Sequence, residues 1–453
     1  MEVLKFGGSS VSSEESLKNM IKIIGEYDLN NEPLIIVVSA LKGITNELVK
    51  LTGLLANKDQ EYVKTIAFIF EKHKSFIHTI FEDEPFDLFR KIKQIENDLV
   101  VYVSSVLKSG RLSDKNYDKI VSFGELFSAQ IITAYLKSNG FDFCFKDAKD
   151  LIITDDSFSS AKVNWDLTTL ITKSFFSESK KSCVVSGFIA RSIYGDTTTL
   201  GRGGSDYTAT VLGAILKADK ITKWTDVNGI MTADPNKVVK ATPLENITFD
   251  ELKNLSKFGS NVLVHPDSIN ELSKHNIPFL IRNTFNRNFT GTQVLNQNIS
   301  SKRALSLHES CVLVGFERTF GIPKELMKEI IDKNYLFFRV KRPENKEKTY
   351  YVVSDECVSF FNANTEDLSP NVDVIDENIV LVTITGENMK KKKELKQIKK
   401  VLEGNKIGVL GFRRFYNSIS LILGKKDFEL AMVLIHEEIT KITSELESKM
   451  EII

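Results

Sequence analysis

The sequence predicts an α/β protein with a mainly parallel central sheet and flanking helices, followed by two small βαββα units. Three observations lead there. Short runs of branched apolar residues recur between helix-like stretches through the first two thirds of the chain. Beyond about Ser300 the pattern gives way to shorter, mixed units. Two glycine-rich turns each follow an apolar run and precede a helical pattern.

The strand runs are VLKF (Val3 to Phe6), LIIVVSA (Leu34 to Ala40), CVVSGFIA (Cys183 to Ala190), ITKWT (Ile221 to Thr225) and PFLIR (Pro278 to Arg282). Each is rich in branched apolar residues and reads as a largely buried strand. Helical patterns lie between them, from Glu14 onward and from Ser122 through Leu136. After residue 300, CVLVGFE, PKELMKEIIDKN, YLFFRVKR and KTYYVVS make one unit. NIVLVTITG, a Lys-rich helix, KIGVLGF, SISLILG and DFELAMVLIHEEI make another, which suggests an internal duplication.

With 453 residues, two or three domains are expected. Lys plus Arg and Asp plus Glu both number 60, so no global field favours nucleic acid or an anionic membrane. The Lys390 to Lys393 run reads as a solvated helix face. Cys144, Cys183, Cys311 and Cys357 are far apart in sequence and form no C-x-x-C pair, which suggests neither a disulfide framework nor a zinc site. The N-terminus lacks a signal-peptide pattern, and no apolar run approaches the ~20 residues that span a bilayer. A cytoplasmic protein is expected, with no membrane or nucleic-acid partner.

Two turns carry the candidate chemistry. KFGGSSV (Lys5 to Val11) puts two glycines between a strand and a helix, where backbone N–H groups and the positive helix end can meet an anion. Lys5 adds a point charge. A plain strand-turn-helix connection is equally compatible with these residues. TTTLGRGGSDYTA (Thr197 to Ala209) repeats the arrangement with Arg202, whose planar fork suits a carboxylate, and Asp206, just inside the helix. Asp206 could also serve only as a helix-end charge. WTDVNGIMTADPNKV (Trp224 to Val238) contains two turn signals, and SFGE (Ser122 to Glu125) places a carboxylate at a helix start.

KFGGSSV, SALKGITN (Ser39 to Asn46), SFGE, TTTLGRGGSDYTA, WTDVNGIMTADP and FGSNVLVHP occur in the order seen in aspartate kinases of the amino-acid kinase superfamily, which the chain resembles. The resemblance implies the amino-acid kinase fold over 1–298, followed by two ferredoxin-like βαββαβ ACT domains. A first, divergent ACT-like domain (309–371) would be inserted in a second made of 299–308 and 372–453. It also implies transfer of the γ-phosphoryl group of ATP, with Mg2+, to the side-chain carboxylate of aspartate, the first step toward lysine, threonine and methionine. A free aspartate side chain, with a pKa of ~3.9, is already an anion, so no general base is needed. By similarity, Lys5 stabilises the transferring phosphoryl group and Asp206 organises the centre. Gly7, Gly8 and Ser9 cradle phosphates; Arg202 grips a carboxylate, Glu125 accepts the amino group, and Ser39, Thr45 and Ser205 complete the amino-acid pocket. Thr225, Asp226, Met231, Asn236 and Asn261 fall on the nucleotide-binding segments. No protein metal ligand is implied, since Mg2+ would ride on ATP oxygens. A homodimer through the ACT domains is expected.

The pattern departs in places. Asn261 stands where FGAKVLHP would supply a lysine, Asn236 where DPR would supply an arginine, and Met231 replaces a commonly aromatic residue. Lys237 and Lys257 are the nearby candidates to compensate. The first ACT-like unit lacks the effector-binding glycine turn and strand, so weak or absent lysine inhibition is expected, with Phe337 and Phe338 as core. The alternative reading is an amino-acid-sensing regulatory protein with a kinase domain of reduced activity.

Overall fold

The computed structural model describes residues 1–29, 31–178, 181–259, 264–297, 302–317, 323–332, 335–340, 348–363, 372–386, 389 and 392–450. They divide into two compact units, Met1–Gly229 with Asp267–Leu295 and Ile230–Pro266 with Asn296–Ile453.

In the first unit the strands Glu2–Phe6, Leu34–Val38, Phe143–Lys146, Ser182–Ser186, Lys220–Thr225 and Phe279–Asn283 form one parallel sheet. Thr292–Leu295 pairs antiparallel with Phe279–Asn283. Four of the apolar runs predicted to be strands are single strands, whereas CVVSGFIA divides at Gly187 into Ser182–Ser186 of this sheet and Ile189–Ser192 of a smaller one. The strand Leu34–Val38 is buried along its whole length because helices cover both faces. From Glu2–Phe6 the sheet is built outward in both directions, through Leu34–Val38 on one side and Lys220–Thr225 on the other. The crevice at the carboxyl end of this central strand is therefore a topological switch point, where open parallel sheets bind ligands. KFGG lies there. A small sheet of Ile153–Thr154, Ile189–Ser192 and Thr197–Thr199 leads into the second glycine-rich turn.

Although far apart in sequence, Cys144 and Cys183 are register partners on adjacent strands, with their Sγ atoms 2.6 Å apart. Sequence spacing misses the pair because neighbouring parallel strands are joined through long crossovers.

The second unit holds a six-stranded antiparallel sheet in the order Phe337–Val340, Lys348–Ser354, Ala304–Glu317, Val372–Thr385, Ser418–Gly424, Val409–Arg414. The strand Ala304–Glu317 is continuous but divided by register shifts: Ala304–His308 pairs with Leu381–Thr385, and Cys311–Glu317 pairs with Lys348–Ser354. Each half of the sheet thus has four strands, and the strand bearing RALSLHE completes the C-terminal half. Phe338 is buried between Phe258 and Phe415, whereas Phe337 stacks on Tyr351. Lys393 is exposed; Lys390, Lys391 and most of ERTFG lie outside the described residues.

One stretch that the sequence assigns to the first domain, Ile230–Pro266, groups with the second unit. Packing explains it: Ala233 and Val238 join the core of Val380, Ile419 and Ile435, and Thr232 hydrogen-bonds His436 Nε2 at 2.9 Å. No helix among the described residues is long and apolar enough to cross a membrane.

Candidate active site

The site begins with a parallel pairing. Lys5 and Lys223 are register partners on adjacent strands, so both ammonium groups leave the same face of the sheet. Over that face lies the helix Gly204–Leu216, which carries Asp206 in its first turn. Asp206 Oδ1 is 2.7 Å from Lys5 Nζ and Oδ2 is 2.7 Å from Lys223 Nζ. All three residues are buried, at 7%, 7% and 9% exposure for Lys5, Asp206 and Lys223. Burial pushes the Asp206 carboxyl up, but the charges of Lys223 and Lys5 outweigh it and hold it below the usual range. Burial drives Lys223 down, opposed by Asp206 and reinforced by Lys5. The positive helix end adds to the stabilisation of the carboxylate.

Around this triad the two glycine turns close in. The N–H of Gly7 donates to Trp224 O at 3.1 Å, tying the ends of the two lysine-bearing strands together. A Cβ at Gly8 would stand 2.9 Å from Ala40 O, so only glycine lets this turn lie against the next loop. In the second turn Gly201 and Gly203 have φ of 73° and 72°, a left-handed path that suits glycine and aims the helix start at the lysines.

Glu125 is fully buried in the helix Phe123–Ser138 and accepts a hydrogen bond from Ala40 N–H at 3.2 Å. Its other oxygen has no hydrogen-bond partner among the described residues. Burial pushes its carboxyl up to about 8 despite that hydrogen bond and the Lys5 charge. Ser39 N–H donates to Phe6 O at 3.2 Å, placing the SALKG loop beside KFGG. Thr45, half-buried, lies in the first turn of the helix Ile44–Ala56.

The structure thus gathers Lys5, Gly7, Gly8, Ser39, Glu125 and Asp206 at the carboxyl end of the sheet. Ser9 is half-buried in the short turn after Gly8, Ser205 is buried beside Gly187, and Arg202 is exposed on its turn. Thr225 Oγ1 donates to Asp226 Oδ1 at 3.2 Å at the end of the Lys223 strand. Met231 and Asn236 belong to the second unit, where Met231 bridges to Pro243 and Asn236 N–H donates to Asp234 Oδ1 at 2.9 Å. There too Lys237 pairs with Glu309 at 2.6 Å, and Lys257 lies over the Phe258 ring. Asn261 lies outside the described residues.

Two residues at the site carry no family motif. Lys223 is one; a lysine amid a buried strand run is the signal that could have found it. Asp118 is the other, and it braces the second turn from behind. It accepts Ser159 N–H at 2.9 Å, Thr199 N–H at 2.9 Å and Thr199 O–H at 2.8 Å, just before Gly201. Burial pushes its carboxyl up to about 6 against those hydrogen bonds. Nothing in its local sequence announces that role.

The fold and the site define a class: a parallel α/β protein with a buried cationic centre at the strand ends, suited to anionic ligands. A model of the amino acid kinase family matches residues 1–283, and the chain belongs to that family. It is similar to a chloroplastic bifunctional aspartokinase/homoserine dehydrogenase from Daucus carota, 33% identical over 301 residues, covering 65% of this chain and 32% of that protein. The chain therefore spans about a third of the length of such plant relatives. An aspartokinase from Chlamydia pneumoniae is 27% identical over 97% of this chain and 98% of its own length. In fold, the chain is similar to E. coli aspartokinase III in complex with aspartate and ADP, with a TM-score of 0.79, 24% identity, and coverage of 97% and 99%.

Proposed function

We propose that this chain is an aspartate kinase, transferring the γ-phosphoryl group of ATP to the side-chain carboxylate of L-aspartate to give 4-phospho-L-aspartate. The observation that carries this reading is the Asp206 carboxylate held between Lys5 and Lys223 at the switch point of the sheet, beside the buried carboxyl of Glu125. The similarity to aspartokinases supports the choice of substrate.

The chemistry brings one anion against a polyanion, so the chain's task is positioning and charge neutralisation. Gly7, Gly8 and Ser9 offer backbone N–H groups to the donor phosphates. Lys5, beside Gly7, meets the transferring phosphoryl group, and Asp206 orients Lys5. Arg202 grips a carboxylate of aspartate from its exposed turn, while Glu125, ionised on binding, accepts the ammonium group; Ser39, Thr45 and Ser205 shape the pocket. Thr225 and Asp226 border the nucleotide; by the resemblance alone, Met231, Asn236 and Asn261 fall on nucleotide-binding segments. Mg2+ would ride on nucleotide oxygens, screening their charge. The donors at the site, lysines and backbone amides, meet phosphate oxygens and fit that mode. The domain reading goes with this function: residues 309–371 as the inserted ACT-like domain, and 299–308 with 372–453 as the other, joining two copies of the chain.

Steady-state kinetics of two variants test the assignment. Lys5→Ala should abolish turnover, and Arg202→Ala should mainly raise the aspartate requirement. Near-normal turnover for Lys5→Ala would remove Lys5 from the centre.

A further inference from the structure

We propose that Lys223 is a positioning residue for phosphoryl transfer: it holds Asp206 in place as Lys5 turns its ammonium onto the transferring phosphoryl group. The inference rests on the kinase reading above and assigns a role to a residue outside every motif.

A Lys5–Asp206 pair alone would be neutral, and its lysine would be committed to its partner. With Lys223 on the second carboxylate oxygen, two ammonium groups share one carboxylate in a site almost closed to water. The triad is thus biased toward an anionic ligand.

Lys5 Nζ faces the first glycine turn, for a Cβ on Gly7 would lie 3.8 Å from it. The charge of Lys5 is also felt at Glu125, on the acceptor side. Lys223 sits one strand further along the sheet, and its charge partners are Asp206, Lys5 and Asp226. Of the two lysines, Lys5 is the one that borders both turn and acceptor carboxyl. If it moves onto a phosphoryl oxygen, Asp206 keeps a cation on its other oxygen and stays ionised. Without Lys223, the same movement would strand a buried carboxylate, so Lys5 would be held back.

Removing the charge while keeping the length separates this role from a structural one. In Lys223→Met the Lys5–Asp206 pair is kept, so the fold should be retained, with the loss of the second ammonium contact read as a change in melting temperature. Turnover in an acyl hydroxamate assay should nevertheless fall about 100-fold, the scale of one preorganised charge contact. The KM for aspartate should stay within about twofold, and Lys223→Arg should recover at least about a tenth of the wild-type kcat. Turnover of Lys223→Met within about threefold of wild type would overturn the proposal. So would a loss of turnover that tracks a lowered melting temperature and is not recovered by Lys223→Arg. A wild-type protein that forms no hydroxamate overturns the kinase reading itself, a separate outcome.

Discussion

Replacing Asp206 by asparagine keeps the shape of the site and deletes the one negative charge between two buried ammonium groups. Each nitrogen lies 2.7 Å from its own carboxylate oxygen. The two nitrogens are then about 5 Å apart, and at an effective dielectric near 20 their repulsion is about 3 kcal/mol. That agrees with the ~3–5 kcal/mol cost of breaking a buried ion pair from one side. At 2 °C or more per kcal/mol for a unit of this size, Asp206→Asn should lower the melting temperature at pH 7 by about 6 °C or more. The pH dependence has a definite sign. Without Asp206, the folded-state pKa of Lys223, already lowered by burial, falls further below its value in the unfolded chain. The unfolded state then binds more protons, so stability rises with pH and the deficit relative to wild type shrinks toward pH 10. Tryptophan fluorescence is the assay, because both tryptophans, Trp165 and Trp224, lie in the first unit. A variant melting within about 1 °C of wild type at pH 7 would refute the reasoning, since the two lysines could not then be charged against one carboxylate.

Glu125 and the cysteines give further predictions. Because burial raises the Glu125 carboxyl from 4.5 to about 8, the folded protein keeps a proton that the unfolded chain releases. Its contribution to ligand-free stability is therefore present below pH 4.5 and lost as pH rises through about 8. In the same window kcat/KM for aspartate should rise as the carboxylate forms; Glu125→Gln should remove that rise and weaken aspartate binding about 10-fold or more. A pH profile identical in the variant would remove Glu125 from the amino-acid pocket. Cys144 is held down at about 7 by the Cys183 S–H, whereas burial pushes Cys311 and Cys357 up to about 12. Iodoacetamide at about pH 7.5 should label Cys144 well before those two. Equal labelling by peptide mass spectrometry would contradict the pairing.

The sheet was legible because strands buried on both faces leave unbroken apolar runs, and LIIVV and CVVSG are such runs. The two glycine turns were legible because a left-handed or crowded backbone leaves glycine little competition, as at Gly203 and Gly8. Pairings between distant strands leave no such mark. The contact of Lys5 with Lys223 depends on register across 218 positions of sequence, as does Cys144 with Cys183 across 39. Motif matching points to Lys237 and Lys257 as replacement cations, yet the lysine that the sheet sets beside Lys5 is Lys223. Asp118 was invisible for another reason: a buried carboxylate satisfied by backbone N–H groups has no sequence pattern of its own. The grouping of Ile230–Pro266 with the second unit came from side-chain packing, which periodicity does not report.

The central claim is that the Lys5–Asp206–Lys223 centre phosphorylates the side chain of aspartate. Trapping with hydroxylamine in the presence of ATP, Mg2+ and aspartate tests it most directly, because an acyl phosphate yields a coloured hydroxamate complex. The account predicts hydroxamate with aspartate, little with glutamate, and none above background for Asp206→Ala. No product from the wild-type chain above that of Asp206→Ala would contradict it and favour an amino-acid sensor without turnover.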